Sequence, residues 1–331
     1  MATGKKLKAS LVQVGALALL FAACVSLPDP ATLKVAAARV PAFAAPVVGA
    51  DDVLFIGAGD IAYPGQLSAA AATATIIERI PQAIVFTLGD NAYRFGRPIE
   101  FERNYAPTWG AFRDRTWPSP GNHDYYTRDA AAYFHYFGPR AGPPGLGYYS
   151  YDVKEWHVIS LNSHHVDDPA QLRWLENDLR QTSKPCVLAY WHNPLFSSGS
   201  EHGDQAGDPG RRSDRFWRLL IEHGADVVLS GHDHDYERFD PQDVAGLPSA
   251  DGLREFVVGT GGAHLRTLGT RKRNSAIFDV QHYGVLLMTL KHDSYEWRFL
   301  ATDGAAVDQS ASPVACHAKH LRTSARSAEK P

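Results

Sequence analysis

Cysteine is scarce in this chain: three in 331 residues, at positions 24, 186 and 316. That is too few for a fold held by a disulfide framework. Basic residues are not in excess either. Thirty-three Lys and Arg stand against 36 Asp and Glu, a formal charge of −3, so no general positive field draws nucleic acid to the surface. The longest apolar run, LVQVGALALLFAA at 11–23, falls short of the roughly 20 residues that a comfortable bilayer span needs. Beyond residue 50 there is no internal repeat and no linker-like stretch.

What stands at the N-terminus fits export. MATGKKLK carries three lysines and no acid, the short apolar run follows, and AAC closes it, which is the build of a secretory signal peptide over residues 1–24. LFAAC also has the form of a bacterial lipobox with Cys24 as the lipidated residue, although Phe21 stands where leucine is usual. Cys24 is therefore either a lipid anchor to the membrane or part of a discarded leader, and the protein is exported: extracellular, periplasmic or membrane-anchored. Residues 25–50 are rich in Ala and Pro and read as a linker, residues 51–307 as one catalytic domain, and 308–331 as a loose polar tail. Cys186 opens an apolar run and reads as a small buried hydrophobe. Cys316 sits in the polar tail, and a bridge between the two ranks behind that reading.

The domain alternates short apolar runs with helical patterns, which predicts an α/β layered fold. Strands are expected at 53–58, 83–88, 156–161, 186–191, 227–230, 255–259, 284–290 and 295–300. Helices are expected at 67–80, 169–182 and 213–224, the last ending on Gly224.

The polar residues at the ends of these runs carry the chemistry. VLFIGA leads into Gly59-Asp60, AIVFTL into Gly89-Asp90, WPSP into Gly121-Asn122-His123-Asp124, VLAYW into His192, and VVLS into Gly231-His232-Asp233-His234. Sites in open α/β sheets lie beyond the carboxyl ends of the strands, so five such turns can meet in one crevice. Two carboxylates, an amide oxygen and three imidazoles suit Fe, Mn or Zn and are too nitrogen-rich for a calcium cage. Six ligands exceed one tetrahedral zinc, and a carboxylate can bridge the two ions of a phosphoryl-transfer site. Singly, each motif is more often a turn or a polar surface; the five together in this order are not.

The order GD, GD, GNHD, H, GHDH resembles the calcineurin-like metallophosphoesterase superfamily over roughly residues 52–300. Most members have Asp-x-His at the first motif, whereas this chain has Asp60-Ile61-Ala62, and it carries a tyrosine at Asp90-Asn91-Ala92-Tyr93. Both features resemble the purple acid phosphatase branch, tartrate-resistant acid phosphatases included, in which a tyrosinate replaces that histidine on a ferric ion. The resemblance implies a four-layer αββα sandwich and hydrolysis of phosphate monoesters by metal-bound hydroxide. It implies Fe(3+) on Asp60, Tyr93 and His234, and Fe(2+), Zn(2+) or Mn(2+) on Asn122, His192 and His232, with Asp90 shared. His123 and His202 are the expected phosphate-facing catalytic groups, and a small phosphate ester is the expected partner. The alternatives are a phosphodiesterase on nucleotides or phospholipid headgroups, and a non-catalytic surface protein that binds metal or phosphate.

Overall fold

Apolar runs of five to eight residues rich in Val, Ile, Leu and Phe cannot stay in water, and in the computed structural model they lie side by side in two sheets. The structure describes residues 39–200 and 212–317, with Met1 and Val35 as single positions. The leader with Cys24, most of the linker up to residue 38, His202, Arg211 and the tail from residue 318 lie outside the described residues.

In chain order the elements are β1 (Val53–Ala58), α1 (Leu67–Glu78), β2 (Ile84–Leu88), the single turn α2 (Pro98–Glu100), β3 (Thr116–Ser119), α3 (Ala131–Phe137), β4 (Tyr149–Val153), β5 (Trp156–Ser160), α4 (Pro169–Gln181), β6 (Cys186–Tyr190), α5 (Asp214–Glu222), β7 (Val227–Ser230), β8 (Tyr236–Phe239), β9 (Arg254–Val258), β10 (Ser275–Asp279), β11 (Gly284–Leu290), β12 (Ser294–Ala301) and β13 (Val314–Ala315). One sheet has the order β13-β12-β11-β1-β2-β3, the other β10-β8-β9-β7-β6-β5-β4. Strands β1, β2 and β3 are parallel, as are β5, β6, β7 and β9. All eight expected strands and all three expected helices form, with ends shifted by at most two residues.

Alternation along the strands builds the layers. Cys186, Leu188 and Tyr190 of β6 enter the core that also holds Phe55, Phe86 and Met288 of the other sheet. Val187 and Ala189 point the opposite way, onto Leu175 and Leu179 of α4 and Trp217 and Leu220 of α5. Helix α1 packs Ala70, Ile76 and Ile77 onto the six-stranded sheet. The expected layered α/β architecture is the observed one. Among the described residues no helix is long and apolar enough to cross a membrane.

Two expectations about the C-terminal part are corrected. Cys186 and Cys316 form a disulfide, with Cα atoms 5.6 Å apart. Strand β13 returns along the start of β12 and so brings Cys316 to the first residue of β6. Residues 308–317 are not a loose tail either. The Asp308 carboxylate, 4% exposed, accepts hydrogen bonds from Tyr236 Oη (2.7 Å), Arg238 Nε (2.8 Å) and Trp297 Nε1 (2.9 Å). A sequence reading sees the polarity of this segment but not the buried donors that await it.

One ion-paired histidine makes the fold sensitive to pH. His157 on β5 lies 2.8 Å from both Asp152 on β4 and Asp178 on α4. Burial alone would lower its pKa, but the two carboxylates outweigh burial and raise it. A raised pKa stabilises the fold fully below the ordinary value of about 6.5 and ceases to do so as pH rises through the folded value. His157→Gln is therefore expected to lower the unfolding free energy measured in urea at pH 6 by about 1 kcal/mol, kept small because Asp152 is half exposed and screened. The difference from wild type shrinks as the pH is raised to 9, and equal differences at both pH values would refute the assignment.

Candidate metal centre

The parallel strands of both sheets end at one pole, and the polar turns after them meet there. Asp60 follows β1, Asp90 and Tyr93 follow β2, and Asn122 follows β3; His192 follows β6, and His232 and His234 follow β7. The first two turns are laced by backbone bonds from Asp60 N to Gly89 O and Ile61 N to Asp90 O, both 3.1 Å. Asp60, Asp90 and His232 adopt left-handed backbone angles, φ of 59°, 50° and 71°. Such conformations cost on the order of 1 kcal/mol each in non-glycine residues and gather at functional sites. Gly121 lets the third turn approach: a Cβ there would lie 2.2 Å from Asp90 N and Oδ1.

The polar atoms are crowded in a way that calls for cations. Tyr93 Oη lies 2.7 Å from Asp60 Oδ1, 2.9 Å from Asp90 Oδ2 and 3.1 Å from His234 Nε2. One phenolic proton cannot serve two carboxylates at once. A few ångströms away, His192 Nε2 lies 2.9 Å from Asn122 Oδ1, 3.1 Å from His232 Nδ1 and 3.5 Å from Asp90 Oδ1. Ligands at right angles on an ion about 2.1 Å away are about 3 Å apart, a spacing that these atoms match. The outer nitrogens are already engaged: His192 Nδ1 faces Leu88 O and His234 Nδ1 faces His264 O, each at 2.7 Å. Backbone acceptors at those positions turn Nε2 of each ring inward, as the supporting partners of metal-binding imidazoles do. Ligand atoms of Asp60, Asp90 and His192 fall within 4.8 Å of one another. The residues present therefore fit two metal ions sharing Asp90. The other tight group, Cys186, Asp226 and Cys316, offers no thiolate because its cysteines are bridged.

Electrostatics agree. Asp60 and Asp90 are at most 1% exposed, and the side chains that face them at ion-pair distance are histidines. Burial would raise Asp60, but His234 and His192 outweigh it and hold the carboxyl low. Asp90 is likewise held low, against burial, by His192 and His123. In turn His192, lowered by burial but drawn up by Asp90 and Asp60, reaches about 10. Tyr93 is pushed well above 10 by burial and by both carboxylates. Without metal the site stores protons, and a bound multivalent cation would displace them and make Tyr93 an anion.

All seven residues expected to bind metal, Asp60, Asp90, Tyr93, Asn122, His192, His232 and His234, are thus brought together. His123 lies at the rim, its side chain 27% exposed, with Nε2 3.7 Å from Asp90 Oδ2 and Nδ1 donating to Arg94 O at 2.6 Å. His202 lies outside the described residues. Arg212 pairs with Asp167 at the surface. Sequence reading missed the bracing pair Asn91 and Asp124. Asp124 Oδ2 accepts from Gly121 N (2.9 Å) and Asn91 Nδ2 (3.0 Å). Burial and the neighbouring Asp90 raise Asp124 to about 7. The signal was present, since these residues follow Asp90 and close Gly-Asn-His-Asp.

A two-sheet α/β sandwich with a buried oxygen and nitrogen cradle for two metals at its strand ends defines a metal-centred protein of the phosphoesterase architecture. The sequence profile of the calcineurin-like phosphoesterase family matches residues 53–236, and the chain belongs to that family. Among curated relatives, purple acid phosphatase 21 of Arabidopsis thaliana is 33% identical over 99 residues, covering 28% of this chain and 22% of that protein. Purple acid phosphatase 1 of Ipomoea batatas is 30% identical over 179 residues, 47% of this chain and 37% of that protein. The matched segments thus span well under half of these relatives' lengths. Among solved structures, a purple acid phosphatase from yellow lupin (Lupinus luteus) seeds superposes with a TM-score of 0.65 at 19% identity, covering 78% of this chain and 53% of that one. An anchor protein of the inner membrane complex of Plasmodium superposes with a TM-score of 0.61 at 12% identity, covering 83% and 93%.

Proposed function

We propose that this protein hydrolyses phosphate monoesters at a binuclear centre of the purple acid phosphatase kind. The crowding of Tyr93 Oη between two carboxylates carries the reading, because a multivalent cation would replace the one phenolic proton and take all three oxygens as ligands. Asp60, Tyr93 and His234 would hold the first ion, Fe(3+), and Asn122, His192 and His232 the second, Fe(2+), Zn(2+) or Mn(2+), with Asp90 common to both. Bound there, the ions supply Lewis-acid activation of water and neutralise charge on the ester. The chain does the rest. Hydrogen bonds from backbone N–H groups of His232 to Asp60 Oδ2 and of His123 to Asp90 Oδ1, both 2.8 Å, fix the carboxylates before substrate arrives. With Nδ1 committed to Arg94 O, His123 presents Nε2 to the site, where it can bind a phosphate oxygen or give a proton to the leaving alcohol. His202 is the second candidate for that task. The disulfide supports an oxidising compartment and hence export, with or without an anchor at Cys24.

Rates on 4-nitrophenyl phosphate and bis(4-nitrophenyl) phosphate test the ester class: faster turnover of the monoester is expected, and a diester preference by orders of magnitude would overturn it in favour of a phosphodiesterase. No turnover of either would favour a binding role, which the likeness to an anchor protein keeps in view. For the metal, the purified protein is expected to show a visible charge-transfer band that Tyr93→Phe removes. A colourless, active, metal-loaded wild type would place Tyr93 off iron.

A further inference from the structure

Among the described residues, only two of the phenylalanine, tyrosine and tryptophan side chains are exposed, Phe95 at 43% and Tyr126 at 59%. They lie together, with ring centroids 6.2 Å apart, and they lie at the metal centre. A row of rings runs outward from the cradle: Tyr93 to His123 at 4.5 Å, His123 to Tyr126 at 4.7 Å, then Tyr126 to Phe95. The exposure is built in rather than slack. Backbone N–H groups of Arg94, Phe95 and Arg97 donate to the Glu100 carboxylate at 2.8, 3.0 and 2.8 Å, fixing the loop that presents Phe95. Tyr126 is held by its own turn, N–H to His123 O at 3.2 Å. The Arg97 guanidinium sits 4.4 Å over the Phe95 ring, which adds positive charge where an anionic ester would approach.

We propose that Phe95 and Tyr126 form a stacking shelf for a flat ring in the alcohol half of the substrate, so that ring-bearing phosphate esters are preferred over aliphatic ones. The proposal rests on the phosphatase reading above and adds its substrate class. An ester whose phosphoryl group lies in the cradle beside His123 extends its alcohol along the row of rings, where stacking supplies binding without regard to ring identity.

The test is calorimetric titration of the metal-loaded full chain with phenylphosphonate and methylphosphonate, neither of which has an ester bond to cleave. Wild type is expected to bind the phenyl compound about tenfold or more tightly, the scale of one aromatic stack. Phe95→Ala/Tyr126→Ala should bring the ratio toward one with methylphosphonate affinity unchanged, while Tyr126→Phe keeps it. Both side chains are exposed, so the thermal midpoint should not move. Turnover of 4-nitrophenyl phosphate, AMP and glycerol 2-phosphate then tells a ring at the ester oxygen from one held through a ribose: the double variant loses kcat/KM on the first, on the second or on both, and never on the third. A ratio that survives the double variant overturns the shelf, as does an equal loss on all three esters. A wild type that cleaves no ester but whose phosphonate ratio collapses in the variant refutes the phosphatase reading and leaves the shelf as a ring-binding site.

Discussion

Asp90→Asn lowers kcat by about 1,000-fold or more and leaves the protein folded. Asp90 faces both halves of the cradle, Oδ2 toward Tyr93 Oη at 2.9 Å and Oδ1 toward His192 Nε2 at 3.5 Å, so its charge would be common to both proposed ions. Asparagine removes that charge and turns an NH2 group onto atoms that are acceptors or must become so. The backbone is spared, because φ at this position is 50° and asparagine tolerates the left-handed region. The amide oxygen can still accept from His123 N–H. Turnover of a monoester, metal content by elemental analysis and the thermal midpoint together check this: activity and metal fall while the midpoint without metal holds. Full activity in Asp90→Asn would refute the enzyme as placed here. Asp90→Ala is a poorer test, since alanine meets a backbone penalty as well.

The largest expected effect on stability lies at the opposite pole. The Cys186–Cys316 bridge closes a loop with a sequence separation of 130, for which the chain-entropy estimate is about 4–5 kcal/mol. Cys316→Ser is expected to lower the unfolding midpoint by about 10 °C or more in a chain of this size. The same fall should appear when wild type is unfolded in reductant, and the variant should then show no further loss. Turnover at low temperature should be unchanged, since Cys186 opens β6 and His192 follows its far end. An unmoved midpoint would mean that β13 holds by packing alone.

Much of this was legible in the residues. Strands β1, β7 and β11 have the bounds that their apolar runs predict, because a buried strand has no competing pattern. The metal cradle was legible for a similar reason: its residues stand at strand ends, where sequence order and spatial place coincide. What escaped reading depends on partners far along the chain. β4, YSYDV, mixes polar and aromatic residues and becomes a strand through its pairing with β5. Strand β3, TWPS, contains a proline and sits at a sheet edge, where proline is tolerated. Cys316 and Asp308 looked like surface residues until the chain returned to Cys186, Tyr236 and Arg238.

The position of the disulfide bears on how the molecule can move. The sheets resemble the two covers of a book: the bridge joins β6 of one to the segment after β13 of the other, at the end away from the site. That end is the spine. Asp60, Asp90, Tyr93 and Asn122 belong to one cover and His192, His232 and His234 to the other, so each proposed ion takes ligands from both. The metals are then a clasp on the fore-edge, and chelation should free the mouth to spread while the spine stays shut. Backbone amides near Asp60 and His232 would exchange with solvent faster, and those of β13 would not.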